Sequence, residues 1–123
     1  MTHKEFLDAV IERGMAAARR DYARPDQRLK LEGSLAGFED CRGLDVVALR
    51  ALLLKAREEA HEARLAHRAD YWRIRCREAE IEWVANCLSV MLAQSGMAVI
   101  VPPTARAVIA CAEIVGVGPA AQA

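Results

Sequence analysis

The sequence predicts an all-α fold, a helical bundle formed as a single domain over residues 1–123 around one long central helix at about 45–95. Helices near the N- and C-termini flank it, and the chain is expected to form a dimer. Three observations carry this. Apolar residues recur at three- and four-residue spacing through most of the chain. Capping residues stand where those runs begin. Asp45 to Ser95 runs 51 residues without a glycine or a proline.

The first helix, about 3–23, opens on Thr2-His3-Lys4-Glu5, the pattern in which a threonine hydroxyl and a glutamate carboxylate satisfy each other's helix-start amides. Phe6, Leu7, Val10, Ile11, Met15, Ala18 and Tyr22 then mark one apolar face, and Pro25 forces a stop because the residue before proline disfavours helical geometry. A shorter helix follows at about 27–42, with Leu31, Leu35 and Phe38 at helical spacing. Gly33 and Gly37 weigh against it, each costing ~1 kcal/mol relative to alanine in a helix interior. Gly43 reads as its stop.

Asp45 is a natural cap for the long helix and Gly96 a natural end. Its apolar seam runs Val46, Leu49, Leu53, Ala56, Ala60, Ala63, passes His67 and Asp70, and resumes at Ile74, Ile81, Val84, Leu88 and Met91. Val46 to Ile74 is 28 positions, four whole heptads, so the seam returns in phase, as a hairpin turn would have no reason to ensure. Asp70, which could cap a second helix, is the one feature that favours a break near 67–70. An unbroken helix would extend about 75 Å, against a radius of gyration of about 14 Å for a compact domain of this size. A second copy of the chain is the simplest cover for such an overhang.

A second stripe, Leu65, Trp72, Cys76, Trp83, Cys87 and Val90, lies nearly opposite the seam, so the C-terminal half of the long helix should be sandwiched between the terminal segments. Met97 to Val101 reads as a strand or extended linker. Pro102-Pro103-Thr104 opens a last helix, about 104–115, ended by Gly116 and Gly118 and apolar enough all round to be buried.

Composition bounds function by exclusion. Lysine plus arginine and aspartate plus glutamate each number 17, which removes any global electrostatic case for nucleic acid or acidic lipid. No stretch reaches the ~18 apolar residues of a membrane span, and the N-terminus lacks the unbroken apolar run of a signal peptide. Cys41, Cys76, Cys87 and Cys111 have no metal-type spacing and read as buried reduced thiols, which points to a cytoplasmic protein. The excess of arginine over lysine and the abundance of alanine point to a bacterial one.

Among candidate sites, the arginine-rich stretch Leu65–Glu78 and the Arg64 just before it offer Arg64, Arg68 and Arg73 as a nucleic-acid face, with Tyr71 and Trp72 as stacking aromatics. Against this, Trp72 falls on the apolar stripe, and Arg73, Arg75 and Arg77 have Asp70, Glu78 and Glu80 within helical reach. His67, Asp70 and Arg77 interrupt the seam and are the expected polar centre of an antiparallel dimer, with Leu53, Ala56, Ala60, Ala63, Ile74 and Ile81 as its interface. Glu58, His61 and Glu62 supply half of a Glu-x-x-His metal motif, without a second copy in the chain. No phosphate loop, nucleophile elbow or zinc-protease motif is present, nothing singles out a general base, and no cofactor is implied. The sequence therefore points to a non-enzymatic helical protein acting through protein–protein contacts, as an adaptor, assembly factor or inhibitor that also self-associates. A nucleic-acid-associated regulator and a metal-binding bundle are the alternatives.

Overall fold

The structure, a computed structural model, describes residues 1–116 and is a bundle of helices: α1 (His3–Asp21), α2 (Arg28–Asp40), α3 (Val46–Leu65), α4 (Tyr71–Gln94) and α5 (Ala105–Ile114). A single turn of 3-10 helix, Pro25–Gln27, links α1 to α2. The caps fall where the sequence places them. The Thr2 hydroxyl accepts from the Glu5 amide at 3.1 Å, Asp45 Oδ1 from the Ala48 amide at 2.8 Å, and Thr104 Oγ1 from the Ala107 amide at 3.2 Å. Gly118, expected to share the last stop with Gly116, lies outside the described residues.

The expected single helix over 45–95 is instead a hairpin of α3 and α4, turning at 66–70. The turn is a Schellman ending made without glycine. The Arg68 amide donates to the Ala63 carbonyl and the His67 amide to the Arg64 carbonyl, while His67 takes a left-handed φ of 49°. At the end of α4, Gly96 takes the same conformation at φ 71°, with the Met97 amide reaching the Leu92 carbonyl at 2.8 Å. Burial overrides local helical preference at 66–70, because folding α4 back lets α3 cover the alanine side of the seam within one chain. Leu53, Ala56, Ala60, Ala63, Ile74 and Ile81, expected at a dimer interface, are buried in the chain's own core.

Helix α4 is central and touches all four others. Helix α2 lies closest to it. A Cβ on Gly33 would sit well inside contact with the Arg73 carbonyl oxygen, and one on Gly37 would meet that of Arg77 at 2.6 Å. The two glycines are one turn apart, so they press the α2 backbone directly against α4, and this contact outweighs their cost in helix propensity. Gly14 of α1 plays the matching role for Phe38, whose ring occupies the space a side chain there would need. Phe6, Val10, Ile11, Phe38, Leu49, Leu53, Ile81, Val84, Leu88 and Leu92 form the main core, and Ala60, Ala63 and Ile74 a smaller one towards the hairpin tip.

Two other expectations change, and the choice of strand or linker at Met97–Val101 falls to the linker. Trp72 and Leu65, expected on a buried stripe, are 54% and 64% exposed, because the stripe begins at the projecting hairpin tip, where Lys30 of α2 lies over the Trp72 ring. The last helix is buried only along Ala107 and Cys111, with Val108 and Ile109 facing solvent, because a single outer helix can bury only the side that meets α4 and α1. Met97–Val101 forms no strand, and the Ile100 and Val101 amides are instead held by the buried Ser89 hydroxyl at 3.1 and 3.2 Å. Among the described residues no helix is long and apolar enough to cross a membrane.

The close approach of α2 to α4 generates a direct test by urea denaturation. Gly33→Ala should lose about 2 kcal/mol of stability even after its helix-propensity gain, since backbone on both sides must separate. Gly43→Ala, at φ 70° but with open space around it, should lose only about 1 kcal/mol.

Candidate functional site

Two regions concentrate polar chemistry. The first is a cleft of about 510 Å³ between α1, α4 and α5. Its walls are largely small and apolar (Val10, Gly14, Ala17, Ala79, Ala110 and Ile114), with Tyr22, Phe38 and Trp83 as its aromatics. The Arg13 guanidinium reaches Glu113 at 2.9 Å, tying α1 to α5. Arg75 is held by Glu78 at 2.6 Å and Glu82 faces Arg57 at 3.6 Å. Two charges in the lining have no opposite partner among the described residues: Arg106, laid over the Trp83 ring at 5.7 Å, and Glu80.

Glu80 is held by three elements. Its backbone is on α4, Asp21 and Tyr22 reach it from the end of α1, and Ser34 of α2 lies alongside, as does the Cys76 thiol one turn earlier on α4. Burial without a cation pushes its carboxyl up to about 7, with Asp21 adding to the rise and Ser34 opposing it. The Ser34 hydroxyl, 1% exposed, completes no hydrogen bond. A protonated Glu80 can serve as its donor partner, whereas an ionised one is a half-buried charge that this hydroxyl, but no cation, stabilises. A carboxyl that titrates near neutrality beside an open cleft can exchange protons with a bound molecule. Burial raises the neighbouring Cys76 thiol, which keeps it protonated and a poor nucleophile. All four cysteines are free and buried.

Sequence reasoning passed over Glu80, treating it as a surface partner for Arg77. A signal was present: Glu80 falls four residues after Cys76 and three before Trp83, inside the second apolar stripe. Arg77 goes elsewhere, donating through Nε to Asp40 at 2.8 Å and through its terminal nitrogen to Glu59 at 3.4 Å, so it fastens α2 and α3 to α4.

The second region is the hairpin tip, where the sequence-derived candidates gather. Asp70 binds Arg68 at 2.9 Å and also Arg73, and these contacts, Arg73 first, hold its carboxyl below the usual range. The expected Arg73–Asp70 and Arg75–Glu78 pairs both form. His67 is exposed at the turn itself. Arg64 lines one side of the hairpin with His61, Tyr71 and Arg75, while Arg68 and Arg73 line the other with Glu59 and Glu62. The three arginines of the nucleic-acid alternative are thus divided between two faces, two of them committed to Asp70. Glu58, His61 and Glu62 are all exposed, and His61 and Glu62 open onto opposite sides. Among the described residues no group of three or more histidine, cysteine, aspartate or glutamate side chains is placed to hold a metal.

Comparison with protein-family models, with curated proteins and with solved structures found no match. Function is therefore read from the geometry alone.

The raised carboxyl of Glu80 has a definite sign in stability. The folded chain keeps its proton up to about 7, while the unfolded chain releases it near the ordinary glutamate value of 4.5. Its favourable contribution is therefore complete below pH 4.5 and is lost as pH rises through 7. Glu80→Gln, which keeps the shape and removes the charge, should match the parent chain near pH 4. At pH 8 it should exceed it by on the order of 1 kcal/mol, a figure reduced because the cleft admits water. Thermal denaturation at the two pH values measures the difference.

Proposed function

We propose that this small helical protein acts without catalysis, through protein–protein contacts, as an adaptor, assembly factor or inhibitor. The observation that carries the reading is the apolar surface left open at the C-terminal end of the bundle. Val108 and Ile109 are 48% and 58% exposed on α5, and Met97 and Val99 of the preceding segment and Val115 at the helix end are exposed as well. The outer face of α3 adds Val47 and Leu54, seven residues apart and both largely exposed. Groups of this kind on a small domain mark contact surfaces more often than chance exposure does. Self-association through the α3–α4 region belongs to the same reading. A bacterial, cytoplasmic setting fits the four reduced cysteines and the composition.

A second reading rests on the cleft. Its two unmatched charges, Glu80 and the Arg106 that lies over Trp83, suit a small molecule carrying a cationic and an anionic group on an apolar body.

Affinity capture with the full chain, compared with a Val108→Lys/Ile109→Lys variant, tests the first reading. Specific proteins should be retained by the parent and lost by the variant, with melting temperatures equal. Retention by both would remove α5 as the contact surface. For the second, a series of straight-chain ω-amino acids should raise the melting temperature of the parent chain but not of Glu80→Gln, and no shift with any of them would end it.

A further inference from the structure

The turn between α3 and α4 contradicts its own sequence. Residues 66–70 contain no glycine, proline or asparagine, and the one left-handed position falls on His67, at φ 49°. The other positive φ values in the described chain, at Gly43, Gly96 and Gly116, fall on glycine, which adopts them freely. A β-carbon makes this conformation unfavourable, so the closed hairpin holds strain that a helical conformation at 67 would release. The Arg68–Asp70 bridge belongs to the closed turn as well, since residues two apart on a helix do not face each other.

The seam adds an independent argument. Its two halves are separated by whole heptads, so on a continuous helix Leu53, Ala56, Ala60 and Ala63 face the same side as Ile74 and Ile81. A hairpin does not need that phase, whereas a straight helix lying against an antiparallel copy of itself does. The hairpin's own contacts predict where two such helices would cross. Ala63 with Ile74, Glu59 with Arg77, and Arg57 with Glu82 all centre on residues 68–70.

We propose that the chain forms a domain-swapped dimer by opening at 66–70. α3 and α4 merge into one helix of about 75 Å, and each chain's α4–α5 packs on its partner's α1–α3. Every contact between the two halves of the monomer is re-made between chains. The hinge loses its left-handed residue and gains helical hydrogen bonds, and a two-fold axis passes beside His67 and Asp70. A short, strained hinge joining two halves that cover each other is the arrangement that favours such exchange. The partner is thus a second copy of this chain, which deepens the self-association part of the proposed function. The test below reads chain exchange and not capture of other proteins, so its failure leaves the α5 surface untouched.

The full chain is unfolded in guanidinium, refolded at low and at high chain concentration, and sized by light scattering. Dimer should appear at high concentration. His67→Gly, which relaxes the closed turn, should lower the dimerisation constant at least about tenfold, because two hinges contribute. His67→Ala/Arg68→Ala, which favours helix and removes the turn's bridge, should raise it several-fold. Exchange is separated from ordinary docking by Arg57→Cys/Glu82→Cys, across α3 and α4, and by Asp40→Cys/Arg77→Cys, across α2 and α4. A short bis-maleimide, which bridges thiols at the separation of these ion pairs, should link the dimer covalently on a denaturing gel. Monomer at every concentration in all hinge variants would overturn the proposal, as would a dimer whose engineered cross-links stay within each chain.

Discussion

The contact between the α2 and α4 backbones organises this molecule. Gly33 and Gly37 remove the side chains that would hold two helices at ordinary separation, so carbonyls of Arg73 and Arg77 lie where β-carbons would otherwise be. Once α2 is seated there, its register is set and other contacts follow. Phe38 enters the space above Gly14, Asp40 meets the Arg77 guanidinium, and Ser34 is carried to the side of Glu80. Tight packing of two backbones is unforgiving of displacement, because dispersion contacts fall away within fractions of an ångström. The position of the candidate cleft therefore depends on two residues that lie outside it.

Charge in this protein works both within elements and between them. While Arg68, Arg73 and Arg75 of the arginine-rich stretch pair with acids close by in sequence, three arginines serve as struts: Arg77 joins three helices, Arg13 spans α1 to α5, and Arg42 links the end of α2 to α1. Exposed pairs of this kind contribute little stability singly, but each restricts how one helix can slide on another. Glu80 breaks the pattern. It is a carboxylate drawn into the bundle with aromatic, thiol and hydroxyl neighbours and no cation, and its protonation couples the cleft to the packing of α1 and α2.

The α3–α4 turn sets two scales of preference against each other. Locally, Ala66 to Asp70 is ordinary helix sequence, and the seam keeps helical phase straight through it. Globally, α4 is apolar on several sides and must be covered by α1, α2, α3 and α5, which a single chain achieves only by doubling back. The monomer resolves the conflict in favour of burial and leaves strain at His67. Such a local and global mismatch is uncommon where a sequence has one destination, and is expected where two packings share the same contacts.

The amino-acid sequence by itself determined the helical class, the three side-chain caps, the ends of α1 and α4, the buried seam and the free buried cysteines. These follow from interactions within a few residues or from periodicity, which a single chain displays openly. Only the tertiary structure decided the break at 66–70, the exposure of Trp72 and of the outer face of α5, the use of Gly33 and Gly37 as contact surface, and the isolation of Glu80. Each of these depends on which element lies opposite, and local sequence carries no record of its neighbour across the bundle. The same residues that argued for an unbroken helix become, in the folded chain, the evidence that its hairpin is under strain.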